Sequence, residues 1–294
     1  MRKQFLMFTT HLILVTTVAL FVVGCKKKST GPEALAPAAN LNSTAPSPQD
    51  GNLSPDTIDT GDLKLKYLSR KKTSSSAVHT VGSNEAALQQ IISELNDRLS
   101  LPFDIDVFFE NCNQPDAFYD PETHQLKICY ELIDDYYALF SPRIKDKAKL
   151  DDAVRGATAA TFFHELGHGL VDAWKIPITG REEDAVDQLS TLVLINRSPR
   201  GEQMALDGAL SFKLYGNLGK GQKKIFWDEH SLDEQRFYDM ICLIYGHDPE
   251  KYAYLVEDGS LPEERAEMCV EDYAKVRNAW MKLLAPYLKQ PPKS

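Results

Sequence analysis

His164-Glu165-Leu166-Gly167-His168 is the stretch on which the reading of this chain turns. It falls inside a run, residues 147–174, whose pattern predicts a helix. Residues four apart share a helical face, so His164 and His168 aim two imidazoles at one place. Glu165 lies beside that face. Two imidazoles at this spacing can hold one metal ion while a third ligand arrives from elsewhere. An adjacent carboxylate can then take the proton of a water on the ion. A chance match on a surface helix is the competing reading, and the residues downstream weigh against it.

Those residues run Gly180-Arg181-Glu182-Glu183-Asp184-Ala185-Val186-Asp187. Glu183 and Asp187 are again four apart and share a face. H-E-x-x-H followed by E-x-x-x-D resembles the thermolysin-like zincins, the gluzincins. The resemblance implies Glu183 as third ligand and a His-His-Glu site for one Zn2+, with the fourth position left to water. It implies Asp187 as acceptor for the free ring nitrogen of His164. Acids also favour the first turn of any helix, which accounts for Glu182 better than for Asp187. Glu182 and Asp184 remain alternatives for the third ligand. The metzincin continuation is absent, because Val171 and Trp174 stand where it needs Gly and His.

Outward from the motif, Leu88, Ile91, Ile92 and Leu95 have helical spacing, predicting a helix over 86–99. Phe103 to Phe109 alternates as a strand, 111–123 reads as a loop, and 125–130 reads as a second strand. Helices are expected over 131–140, 147–174, 182–195, 201–215, 231–245 and 262–284. The order predicts an α+β, zincin-like domain: a small N-terminal sheet, the H-E-x-x-H helix and a helical C-terminal half. In zincins a sheet-edge strand covers the cleft and pairs with substrate backbone, and 124–130 is the candidate here.

A wider set of residues supports this. Phe118-Tyr119-Asp120-Pro121, Cys129-Tyr130-Glu131-Leu132, the metal motif, Gly180 to Ala185, Glu229-His230 with Arg236, Cys242 with Tyr245-Gly246, and Arg265 with Cys269 together resemble a family of bacterial metallopeptidases. The resemblance covers roughly residues 100–285. It implies a gluzincin-like zinc peptidase and no particular substrate. In the thermolysin-like enzymes a later His or Tyr donates to the tetrahedral oxyanion. His230 is the candidate, with Tyr119, Tyr130 or Arg236 as replacements and a packed or solvated histidine as the ordinary alternative. His79, His124 and His247 read as surface residues, and Trp174, Trp227 and Trp280 as core.

The 294 residues are 26% charged and 43% hydrophobic, a globular composition. The net charge of −9 argues against nucleic acid as a partner. Arg2 and Lys3 precede an apolar core, Leu12 to Val23, which predicts a signal peptide over 1–24. Val22-Val23-Gly24-Cys25 resembles a bacterial lipobox, which implies acylation of Cys25 and attachment to a membrane facing outside the cytoplasm. Residues 25–83, rich in Ser, Thr, Pro and Ala, read as a tether, with the folded domain expected over 84–288. One stretch, Asp62 to Leu68, alternates like an early strand that joins the domain. Cys112, Cys129, Cys242 and Cys269 remain for an oxidising compartment. Local pairing, 112 with 129 and 242 with 269, is the economical expectation. A Cys-based zinc site lacks any C-x-x-C, and free thiols are the other possibility.

The function expected from all this is a membrane-anchored, extracytoplasmic zinc peptidase acting on a peptide or protein, with Glu165 as general base. The alternative is a catalytically silent, metal-binding envelope lipoprotein, or one that uses the metal for stability. An intact Glu165 argues against the silent reading. The absence of cysteine near the motif argues against a closed structural site.

Overall fold

A computed structural model describes residues 59–67, 77, 85–221 and 223–289. The signal segment, Cys25, His79 and most of the expected tether lie outside the described residues. The elements run β1 (Leu63–Tyr67), α1 (Glu85–Asn96), β2 (Ile105–Glu110), β3 (Ala117–Asp120), β4 (Gln125–Cys129) and α2 (Tyr130–Phe140). They continue with α3 (Lys147–Trp174), α4 (Glu182–Ile195), α5 (Pro199–Leu218), α6 (Asp233–His247), α7 (Tyr254–Glu257) and α8 (Glu263–Leu284). This is an α+β fold with a small mixed sheet and a predominantly helical remainder.

The strand order is β1-β2-β4-β3. β1 and β4 both run parallel to β2, and β3 runs antiparallel to β4. Ile105, Val107, Phe109, Leu126 and Ile128 are fully buried and face the helices. β1 moves the start of the folded body upstream of residue 84: Leu63 pairs with Ile105 and is buried. The alternation of Asp62 to Leu68 carried that signal against the polar composition around it. A second correction concerns the cleft strand. β4, expected as the edge, is internal, with β2 on one side and β3 on the other. The edge is β3, four residues between Pro115 and Pro121 in a stretch that reads as loop. Too short to show alternation, it is held by its register on β4.

α3 is the central element. Asp146 caps it by accepting from the backbone N–H of Lys149 at 2.9 Å. It ends at Lys175, in the left-handed region at φ 50° with Pro177 beyond. Small residues let α4 and α5 pack close against it. A Cβ added at Gly167 would lie 2.8 Å from Cβ of Val186 on α4, and one at Gly208 would lie 2.5 Å from Cβ of Ala160. Cys112–Cys129 ties the end of β4 to the segment after β2, and Cys242–Cys269 ties α6 to α8. Both pairings are the local ones. Trp174 and Trp280 are buried, whereas Trp227, expected in the core, is exposed.

Asp207 on α5 is buried against Gly156 of α3. Burial pushes its carboxyl up to about 7; a hydrogen bond from Gln203 Nε2 (3.0 Å) opposes this, and the charge of Asp152 adds to it. A carboxyl raised in the folded state binds its proton more tightly there than in the unfolded chain. It therefore contributes full stability below about pH 4 and loses it as pH rises through about 7. Asp207→Asn should remove that slope, leaving the variant more stable than wild type at pH 8 by about 2–4 kcal/mol and nearly equal at pH 4. Urea midpoints at the two pH values check this, and a gap that does not widen with pH would refute it.

Candidate metal centre

Three donors converge where α3 meets the N-terminus of α4. Nε2 of His164 lies 3.1 Å from Oε2 of Glu183, and Nε2 of His168 lies 3.3 Å from Oε1 of the same carboxylate. All three ligand atoms fall within 4.8 Å of one another. Tetrahedral donors about 2.1 Å from a zinc ion stand about 3.4 Å apart, so the donor set fits such an ion by spacing as well as by type. The close approach at Gly167, next to His168 in the motif, helps bring Glu183 within reach of both rings.

The other nitrogen of each ring is also held. His164 Nδ1 lies 2.8 Å from Oδ1 of Asp187, and His168 Nδ1 lies 2.8 Å from Oε1 of Glu182. With each Nδ1–H donated outward, each Nε2 is left for a cation. Asp187 is fixed in turn by Arg236 of α6, whose Nε and a terminal nitrogen reach its two oxygens at 2.7 and 2.8 Å. The Arg236 guanidinium lies 4.0 Å from the centre of the Phe212 ring. Its bidentate lock on Asp187 is the contact that the sequence left unassigned, because 49 residues separate the two. Asp184 turns away and accepts from Ser231 Oγ at 2.7 Å. Of the three acids considered for the third position, Glu183 alone faces both imidazoles.

Charge follows the geometry. Burial opposes protonation of His164, but its hydrogen bonds to Asp187 and Glu183 outweigh this and raise its pKa to about 9. Burial by itself would raise Glu183, yet three imidazoles hold its carboxyl well below the usual carboxylate range. The third imidazole is His230, which brings Nε2 to 3.0 Å from Glu183 Oε2. Burial raises the pKa of Glu165 and its histidine neighbours pull it down, with the first prevailing. Glu165 is buried, and among the described residues no hydrogen bond holds its carboxylate, unlike those of Glu182, Glu183 and Asp187.

The centre opens onto a cleft of about 930 Å³. One wall is the edge strand β3 with Phe118 and Tyr119, and the other carries Glu229 and His230. Tyr119 donates to Asp172 of α3 at 2.8 Å, which fixes the strand against the metal helix. A second cavity of about 190 Å³ lies on the inner side of Glu165, with Leu132, Tyr136, Phe212 and Met240 in its lining. Tyr130, an alternative oxyanion donor, is buried in the core. His124 is half buried and stacks on Phe103 at 3.7 Å, and His247 contacts Tyr273. The cluster of Cys112, Cys129 and Glu131 does not offer free thiolates. Its sulfurs form a disulfide, and Glu131 accepts the backbone N–H groups of Cys112 and Asn113.

One buried and one part-buried imidazole a helical turn apart, facing a shared carboxylate at an open cleft, form a donor set that could hold a metal ion. Residues 67–284 match the model of the family described as "Putative metallopeptidase", and the chain belongs to that family. Comparison with curated proteins and with solved structures gives no match.

Proposed function

We propose that the protein is a zinc peptidase that hydrolyses peptide bonds at this centre, held to a membrane by a lipid on Cys25. The observation that carries the chemistry is the pair of Nε2 atoms facing Glu183 beside the unbonded carboxylate of Glu165. His164, His168 and Glu183 would hold the ion. When bound, zinc would supply a Lewis acid that polarises the scissile carbonyl and acidifies water. Glu165 accepts the proton of the attacking water and returns it to the leaving amine. Asp187 and Glu182 keep the two rings in the tautomer that leaves Nε2 free. His230 donates to the oxyanion that develops on the scissile carbonyl. The edge strand β3 supports a peptide as substrate, because its outer backbone groups can add an extended chain regardless of sequence.

The purified chain loaded with one equivalent of zinc should cleave a mixed peptide library, stop on chelation and resume when zinc is restored. Retained zinc without cleavage would favour the silent, metal-binding alternative. Cleavage that survives chelation would remove the metal from the mechanism.

Attachment rests on Arg2, Lys3, the apolar core Leu12 to Val23 and Val22-Val23-Gly24-Cys25. No helix among the described residues is long and apolar enough to cross a membrane. Labelled fatty acid should enter the wild type in cells and be absent from Cys25→Ser. Equal labelling of the two, or none in either, would end the lipid reading.

A further inference from the structure

The end of α5 and the segment that joins it to α6 carry the three most exposed large apolar side chains among the described residues: Trp227 at 76%, Phe226 at 71% and Leu218, the last residue of α5, at 69%. Ile225 adds to them at 47%. Scattered single apolar residues on a surface need no explanation, but three consecutive ones as exposed as Ile225, Phe226 and Trp227 mark a contact surface. Lys220, Lys223 and Lys224 are interleaved with the cluster and also exposed. Lys223 Nζ lies 5.8 Å from the Trp227 ring, and Lys224 pairs with Glu234 at 3.0 Å.

We infer that this segment docks the protein on an anionic lipid surface, with Phe226 and Trp227 entering the headgroup boundary and the lysines meeting lipid phosphates. Aromatic rings concentrate at the membrane–water boundary because one part of the ring is apolar and the other tolerates water. Each lysine near an anionic leaflet adds about 1 kcal/mol. The argument from charge is local. The chain has a net charge of −9, whereas residues 218–227 hold three lysines and no acid, the nearest acids being Asp228 and Glu229 on the side toward the cleft and Glu234, which pairs with Lys224. A protein partner would require a bounded, shaped face, whereas exposed consecutive apolar residues in an irregular segment, Ile225, Phe226 and Trp227, fit a soft, unshaped one. The surface also adjoins the cleft. The same segment ends at His230, whose ring touches Glu183, so a docked segment would hold the cleft mouth at the lipid surface.

The test reads Trp227 itself in the full chain, so that a lipid on Cys25 or the apolar N-terminal segment cannot imitate it. Trp174 and Trp280 are buried and give a constant background, and Trp227→Phe supplies the blank. Vesicles of phosphatidylethanolamine and phosphatidylglycerol should shift the Trp227 emission to the blue. Brominated acyl chains should quench it, and pure phosphatidylcholine should do so weakly. Lys220→Gln, Lys223→Gln and Lys224→Gln combined should lower the docking equilibrium, read as the quenched fraction, about a hundred-fold. Phe226→Ser should lower it about ten-fold or more. All these positions are exposed, and unchanged circular dichroism and zinc content would show that the variants fold. Trp227 emission that stays unchanged while the protein sediments with the vesicles would overturn the inference. So would a shift produced by added peptide and not by lipid, which would assign the segment to substrate capture.

Discussion

Glu165→Gln retains one equivalent of zinc and loses kcat by about 10²–10⁴-fold, the contribution of a positioned general base. The substitution keeps the shape of a side chain that is buried between two cavities and removes its ability to accept a proton. Neither imidazole depends on Glu165 for orientation, since Asp187 and Glu182 hold the two Nδ1 atoms. Metal content and catalysis therefore separate. Metal analysis after dialysis and turnover of a cleaved library peptide check both halves. A variant that keeps its zinc and cleaves at the wild-type rate would remove Glu165 from the base role. A variant that loses its zinc would make it a ligand or a support.

Glu183→Ala loses zinc by more than about 100-fold in affinity, because a ligand contributes more than the residues that orient ligands, and those are worth about 10–100-fold. Among the described residues its carboxylate is the one group that faces both Nε2 atoms. Asp187→Asn and Glu182→Ala fall in the 10–100-fold range, each by loosening one ring. Asp184→Ala keeps the zinc, since Asp184 is occupied with Ser231. Competition against a chromogenic chelator measures all four. Full affinity in Glu183→Ala together with loss in Asp184→Ala would reverse the ligand assignment.

Much of this was legible before any coordinates, and the reason differs by element. The ends of α3 and α4 are as read because each has a local marker: Asp146 before one, Pro177 after it, and three acids opening the other. The spacing of His164, His168, Glu183 and Asp187 is a property of two helices, so periodicity alone puts the right residues on the right faces. What could not be read depends on distance in the chain. β3 is a strand only because β4 lies beside it, and β4 is internal only because β3 exists. Arg236 reaches Asp187 across 49 residues, with no local pattern to announce it. The role of Glu182 was hidden for a different reason: an acid in a first turn already has a sufficient explanation in the helix dipole. Trp227 failed as a core residue because size predicts burial only on average.

The two helices that supply the donors meet where Gly167 receives the Val186 side chain, and no disulfide joins them. An ion shared by His164, His168 and Glu183 would add a further tie to the hydrogen bonds that already join the two helices, His164 to Asp187 and His168 to Glu182. Its binding energy then counts toward keeping α3 against α4, and any mutation that loosens that packing is felt as weaker retention of the ion. Scarcity of metal in the surroundings would thus reduce the protein's lifetime as well as its activity, and a chain stripped of its ion would be the first to reach a protease.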